Sequence, residues 1–190
     1  MGIPGPTGLT GTNSVTKAAA ATVAAGADLT WLVLAANAAD ITGTTLTTVM
    51  TMTGVGVGRY AFMCQLIYQT DATTTGIDVA VNHTGTTTQF IAGTRFSSTG
   101  GSAATAAATT AGASATGNLY EGQDIRTKNA IIGAGTVSVD AANSDMMMKI
   151  EGFFVVSVSG DLQIKLAAEA VSIVVRAMQG SFLELKKLSS

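Results

Sequence analysis

The sequence predicts an all-β protein, an antiparallel β-sandwich or jelly roll with an extended N-terminal arm. The first reason is a series of short runs in which large apolar residues alternate with polar ones between turn residues, while a helical period is almost absent. The second is that only 12% of the residues are charged and 47% are apolar, against about 25% charged in ordinary domains. We therefore expect an arm over residues 1–27, a sandwich over residues 28–190, and a surface largely covered by partners.

The arm begins with GIPGPTGLTG, in which glycine recurs at every third position from Gly2 to Gly11. In collagen this period exists because only glycine fits at the axis of three wound chains. Four triplets are too few for a stable triple helix by themselves, so two interpretations stay open: a convergence of three chains, or three separate arms. The period ends at Gly11, which favours separate arms. Further along the arm, the alanine-rich residues 17–27 favour a short helix over a strand.

The first strands of the sandwich are predicted in residues 29–36 and 44–55. In the second run, Leu46, Thr48, Met50 and Met52 fall on one face by the two-residue period of a strand. Glycines at positions 54, 56 and 58 then indicate a turn.

Residues 59–69 form the clearest core strand, in which large apolar side chains recur at every second position. Residues 77–83 alternate in the same way, with His83 on the face of Val79 and Val81. The two runs predict an antiparallel pair joined by a surface loop, followed by a strand over residues 87–96.

Residues 97–118 contain hardly any large side chain. Such a segment buries too little apolar area to specify a fold by itself. We expect an exposed loop; a segment packed tightly between subunits is the alternative.

The last third of the chain is the most regular. Residues 146–159 predict a strand, Gly160 and Asp161 a turn, and residues 162–166 alternate again, which together indicate a hairpin. Two further strands are expected at residues 172–178 and 181–188, separated by a turn at residues 179–180.

Histidine and cysteine, which often form catalytic and metal-binding sites in proteins, are scarce in this sequence. His83 is the single histidine and Cys64 the single cysteine. A Ser-His-acid or Cys-His arrangement would depend entirely on His83, and the two residues are too few for a disulfide framework or a zinc site within one chain. Asp140, Asp145 and Glu151 lack the spacing of a calcium loop. We expect no enzyme activity, no cofactor and no metal, and a His83 side chain that is packed or hydrogen-bonded on the face of Val79 and Val81.

The composition also narrows the classes of partner that we expect this chain to bind. The net charge is −2, and Lys186–Lys187 is the single adjacent pair among ten scattered basic residues, so no basic field for nucleic acid is predicted. Apolar runs are interrupted by threonine and glycine, which argues against membrane spans. A secretory signal is not recognised, so we expect synthesis in a cytoplasm.

Two segments carry a resemblance to a known family. GRYAFMCQLIYQTDATTTGIDVAVN at residues 58–82 resembles a strand, loop and strand that recurs in virion proteins of tailed bacteriophages. The stretch from Ile150-Glu151-Gly152 to Gly180-Ser181-Phe182-Leu183 is similar to the end of the same module. One difference is Asn82-His83-Thr84-Gly85, where the family often has Gly-Pro.

The resemblance implies a structural protein with a trimeric jelly-roll head, similar to the tumour-necrosis-factor and complement-C1q folds. It implies a homotrimer that binds the major capsid protein on the capsid exterior of a virion assembled in the host cytoplasm, and that decorates and stabilises the shell. The alternative is a receptor- or glycan-binding head of a fibre or tail tip, with a host-surface glycan as partner. A long loop made of alanine, threonine, serine and glycine favours decoration.

Two sets of site residues follow from this interpretation. The arm expected to anchor the capsid comprises Gly2, Ile3, Pro4, Gly5, Pro6, Gly8, Leu9 and Gly11. The face expected to form the core or the trimer contact comprises Tyr60, Phe62, Leu66, Tyr68, Phe153 and Phe182.

Overall fold

The computed structural model describes residues 15–18, 21–25, 28–73, 75–97, 119–121, 125–132 and 142–189. Every regular element in these residues is a β-strand, and the strands form two packed sheets, which confirms the predicted all-β sandwich. The strands are β1 (Val15–Ala18), β2 (Ala21–Ala24), β3 (Leu29–Leu34), β4 (Ile41–Thr42), β5 (Thr47–Val55), β6 (Gly58–Thr70), β7 (Ile77–His83), β8 (Thr86–Ser97), β9 (Leu119–Glu121), β10 (Ile131–Ile132), β11 (Met146–Val158), β12 (Gly160–Ala168), β13 (Val174–Ala177) and β14 (Phe182–Ser189).

The larger sheet has the strand order β1-β3-β14-β6-β11-β8-β9, with β13 pairing both β6 and β4. The smaller sheet has the order β10-β7-β12-β5-β2. Neighbouring strands are antiparallel except for β1 with β3 and β2 with β5, which are parallel. Within the described residues, an antiparallel body therefore carries a short parallel pairing in each sheet.

Consecutive strands repeatedly change sheet. β5, β7 and β12 belong to the smaller sheet, whereas β6, β8 and β11 belong to the larger one. The predicted pairing of residues 59–69 with 77–83 is therefore wrong, and so is the hairpin predicted around Gly160. The alternation of apolar and polar residues shows which side chains of a strand share a face. It does not show whether two such strands pair edge to edge in one sheet or face each other across a core, because the period is two residues in both cases. Repeated crossing between two sheets is the connection pattern of a jelly roll.

The core lies between the inner faces of the two sheets. Tyr60, Phe62, Leu66 and Tyr68 are buried on the larger sheet, together with Cys64, as the alternation of β6 predicts. Opposite them, the smaller sheet contributes buried side chains from three strands: Met50, Met52, Ile77, Val79, Val81, Leu162, Ile164 and Leu166.

Phe154 is the centre of an aromatic cluster in this core. Its ring stacks on Tyr60 at 5.4 Å between centroids and lies 5.9 Å from Phe62 and 6.4 Å from Phe90. Gly152 precedes it by two positions on the same face, and a Cβ there would come within 2.5 Å of the Phe62 ring. The glycine in the Ile150-Glu151-Gly152 motif thus provides the space that the Phe62 ring fills.

The helix expected over residues 17–27 is not found in the described residues of that segment. Residues 15–18 and 21–24 are strands that extend the two sheets along β3 and β5. Alanine favours helices by less than 1 kcal/mol per residue over most other residues, and pairing with an exposed sheet edge outweighs so small a preference.

Two chain crossings meet at one end of the sandwich, and we call them the glycine corner (residues 84–85 and 159–161). A Cβ on Gly160 would lie 2.1 Å from the Gly85 nitrogen, and a Cβ on Gly85 would lie 2.1 Å from the Val158 carbonyl oxygen. The Thr84 N–H donates to the Asp161 carbonyl at 3.0 Å, and the Asp161 N–H donates to Thr84 Oγ1 at 2.8 Å. The two crossings therefore pack backbone against backbone.

Two charged side chains, those of Asp161 and Lys128, make further hydrogen bonds at the glycine corner. The Gly54 N–H donates to Asp161 Oδ1 at 3.0 Å. Lys128 donates to the carbonyl oxygens of His83, at 2.9 Å, and of Gly85. These hydrogen bonds connect the glycine corner to Gly54 and to Lys128, which lie in two other parts of the chain.

Segment 97–118 falls mostly outside the described residues, as does the whole stretch 2–11. Ser97 ends β8 and pairs with Leu119, the first residue of β9. Across the described ranges, no helix has the length and apolar character needed to cross a membrane.

Candidate functional site

The outward surface of the larger sheet is unusually apolar for an exposed face. It spans β3, β14, β6, β11 and β8, where the side chains that alternate with the core residues point away from it. We call this surface the apolar face; its apolar members are Leu29, Trp31, Val33, Ala61, Met63, Ile67, Ile91, Met147, Phe153, Val155 and Phe182.

Strand register places Met63 near the middle of the apolar face. Across the sheet, Trp31 pairs with Glu184, Glu184 with Met63, and Met63 with Glu151. The row on one side of Met63 carries Phe153 and the row on the other carries Phe182. A bulky apolar group thus lies diagonally on each side of a central methionine.

Trp31 and Phe182 form an aromatic pair at one side of the face. Their rings are stacked at 6.0 Å between centroids with an interplanar angle of 15°. Trp31 nevertheless keeps 38% of its surface exposed, and Met147, toward the opposite side, keeps 45%. Large apolar area therefore remains in water within a single chain.

The charges on the apolar face are of both signs, and they include the exposed Arg59, which pairs with Val155 at one end of the face. Lys149 and Glu151 form an ion pair at 2.7 Å, with more than a third of each side chain exposed. Glu184 lies in the same row as Glu151, and Lys186 lies one row away, beside Ala61. Carboxylates in one row are thus flanked by lysines in the neighbouring rows.

The outward surface of the smaller sheet differs sharply. Its half-buried side chains are polar: Thr51, Asp78, Asn82, Gln163 and Lys165. Asn82 Nδ2 donates to Gln163 Oε1 at 3.0 Å across β7 and β12, and burial, reinforced by Glu169, raises the pKa of Asp78. The half-buried outward side chains of the smaller sheet are therefore more polar than those of the larger sheet, although Ile131 at its edge is exposed.

The predicted set of face residues divides into two groups. Tyr60, Phe62, Leu66 and Tyr68 lie in the core, each at most 4% exposed. Phe153 and Phe182 point the opposite way, onto the apolar face. The arm residues from Gly2 to Gly11 lie outside the described residues.

Sequence reasoning overlooked the residues at the centre of the apolar face, above all Trp31 and Met63. A usable signal was present, because β6 carries apolar side chains at both parities, with Ala61, Met63 and Ile67 alternating with its core residues. A strand covered on one side alone normally alternates between apolar and polar. The three methionines at 146–148 divide similarly: Met148 is fully buried and Met147 is exposed.

His83 is packed in the core, as its strand face predicts. It is 1% exposed, its ring lies 5.5 Å from that of Phe154, and neither ring nitrogen has a hydrogen-bond partner among the described residues. Burial lowers the pKa of His83; the Gly85 backbone opposes this, Lys128 adds to it, and Asp161 opposes it.

Cys64 and the acidic residues offer no assembled chemistry in the described ranges. Cys64 is fully buried, and burial raises the pKa of its thiol well above the ordinary value. The described residues contain no group of three or more His, Cys, Asp or Glu side chains placed to hold a metal ion. The apolar face is therefore the candidate functional site.

Comparison with known proteins adds no relative: no protein family, curated protein or solved structure matches the chain.

Proposed function

We propose that this chain is a structural protein of a tailed-phage virion that binds the assembled capsid shell as a homotrimer and stabilises it. The observation that carries the proposal is where the two resembling segments fall in the fold. Residues 58–82 supply β6 and β7, and residues 150–183 supply most of β11, all of β12 and β13, and the start of β14. These strands form the middle of both sheets, as expected of segments that build a head module rather than of a chance match in loops.

Composition supports the same proposal. A chain with 12% charged residues and one apolar sheet face is poorly suited to a dispersed monomer, because large exposed apolar patches usually mark interaction sites. The crossing pattern of the strands is that of a jelly roll, the fold implied by the resemblance.

The proposed mechanism is mass action. A ligand that binds the assembled lattice, and not its separated subunits, stabilises the lattice by RT ln(1 + [L]/Kd), about 2.7 kcal/mol when its free concentration is 100 times Kd. Many identical sites on a shell multiply this effect, and no catalytic group is required.

Binding to shells is the first test. Purified chain mixed with undecorated capsids of its phage should sediment with them, and a virion reconstruction should show hundreds of copies on the shell. A few copies at the tail tip, with no shell binding, would instead favour a receptor- or glycan-binding head.

Deleting residues 2–11 tests the anchoring role of the arm. We expect weaker attachment to capsids, because the deletion removes contacts made by the arm, while the sandwich keeps its β-rich circular-dichroism spectrum. A matched variant with Gly5, Gly8 and Gly11 changed to serine separates glycine periodicity from arm length. Unchanged capsid occupancy after the deletion would contradict the anchoring role.

A further inference from the structure

We infer that the apolar face is the surface through which copies of this chain contact one another, with Met63 at the centre of the contact. The inference specifies the subunit contact of the proposed homotrimer and rests on that part of the proposed function. It does not depend on the capsid, because self-association is measured on the purified chain.

The size of the apolar face fits a subunit contact. Five strands about 4.8 Å apart and five rows of outward side chains about 7 Å apart cover roughly 500 Å² before side-chain relief is counted. A stable interface takes about 800 Å² of accessible surface from each partner, so the face has the right order of size. The largest apolar patch on a typical monomer is about 300–600 Å² and is often functional.

The charges on the face favour a copy of the same chain as its occupant. A partner that recognised one sign of charge would require a face of the opposite sign, but here Glu151 and Glu184 lie in one row, and Lys149 and Lys186 lie in the rows beside it. A second copy of the chain presents lysines, carboxylates and apolar groups together, so it can offer this face partners of both signs.

The arrangement also suits closure around an axis. When three sheets incline toward a common axis, the middle of each face comes nearest to the other two. On this chain the middle holds Met63, an unbranched side chain that adapts to irregular neighbours, with Phe153 and Phe182 diagonally beside it. The polar surface of the smaller sheet then faces outward, where Gln163 and Lys165 remain in water.

The test uses Met63→Lys in the full-length chain. The new ammonium lies between Glu184 and Glu151 in the register of the sheet, which favours the single folded chain through opposite-charge pairs, but assembly would bury it. Thr51→Lys is the matched control, because it adds the same side chain to the outward surface of the smaller sheet.

Analytical ultracentrifugation should give the wild type and Thr51→Lys the mass of three 19.1-kDa chains at micromolar concentration. Met63→Lys should sediment as a monomer, or need at least about 5-fold more protein for half-assembly. The half-assembly concentration of a trimer varies as the square root of its dissociation constant, which a hot spot of about 2 kcal/mol changes about 30-fold. Circular dichroism and a thermal melt establish that each variant is folded. If Met63→Lys does not fold, Phe153→Gln removes apolar area one row away without adding charge and should also weaken assembly.

Trp31 provides an independent readout, because it is the single tryptophan and lies on the apolar face. Its emission should shift to longer wavelength, and its quenching by iodide should increase, when the wild type is diluted into monomers and in Met63→Lys at concentrations where the wild type is trimeric. A folded Met63→Lys that stays trimeric at wild-type concentrations, or a folded wild type that is monomeric, would overturn the inference. Wild-type trimers that fail to bind capsids would contradict the capsid proposal and leave the inference standing.

Discussion

Replacing Gly160 with alanine is expected to destabilise the fold by about 3 kcal/mol or more, at the upper end of what overpacking costs. The new Cβ would lie 2.1 Å from the Gly85 nitrogen and 2.7 Å from its Cα. These are backbone atoms, and the Thr84–Asp161 hydrogen bonds hold them in place. Relief would require the two chain crossings to separate, which also loosens the ends of β7 and β12. Urea denaturation followed by circular dichroism measures the loss.

Gly56→Ala is the matched control for this prediction. A Cβ at Gly56 meets only Tyr60 Oη, at 4.0 Å, and its backbone is not left-handed. Alanine there should leave stability within about 1 kcal/mol of wild type or raise it slightly, because alanine restricts the unfolded chain. Equal stability of Gly160→Ala and Gly56→Ala would refute the backbone packing of the glycine corner.

Acidification through the range below pH 6.5 is expected to destabilise the protein through His83. Burial lowers the pKa of His83 in the folded chain, so the unfolded chain binds a proton at a higher pH than the folded chain does. The stabilisation by neutral His83 is then complete above about pH 6.5, its ordinary pKa, and is lost as the pH falls toward the folded value; below that value the slope ends. Urea midpoints measured between pH 7.5 and pH 5 should fall accordingly.

His83→Phe isolates this effect. The histidine ring makes no hydrogen bond to the described residues through its nitrogens and packs on Phe154, so phenylalanine should keep stability at pH 7.5 within about 1.5 kcal/mol. The variant should lose the acid-dependent difference. Asp78, whose pKa is raised by burial, shifts stability in the opposite direction on acidification, but it does so in both proteins. Parallel pH profiles for the two proteins would contradict the role of His83.

Lys128 provides a second check on the same histidine. Its ammonium lowers the pKa of His83, so Lys128→Met should raise that pKa toward its ordinary value. The variant should also cost about 1–3 kcal/mol, since the carbonyl oxygens of His83 and Gly85 lose their donor. Because the chain has one histidine, its imidazole proton resonance in an NMR titration reports the pKa directly. A pKa that is unchanged or lower in Lys128→Met would exclude the electrostatic link.

Much of the fold could be predicted from the sequence, and the errors have two physical origins. The two-residue period identified β6, β7, β12 and β14 and assigned Cys64 and His83 to the core, because each strand records its own alternation. The same period could not tell whether β6 and β7 pair side by side or face each other across the core. Helix propensity gave the wrong prediction for residues 17–27, because the weak preference of alanine for a helix was outweighed by pairing with β3 and β5.

The sequence by itself determined the all-β class, the strand faces that fill the core and the shortage of groups for catalysis, because these depend on residue types and local spacing. Only the tertiary structure decided which strands share a sheet, that Gly85 and Gly160 touch, and that Trp31, Met63, Phe153 and Phe182 meet on one outward face. Those residues are separated by up to about 150 positions along the chain, and no local pattern records a contact made by strand register across a sheet.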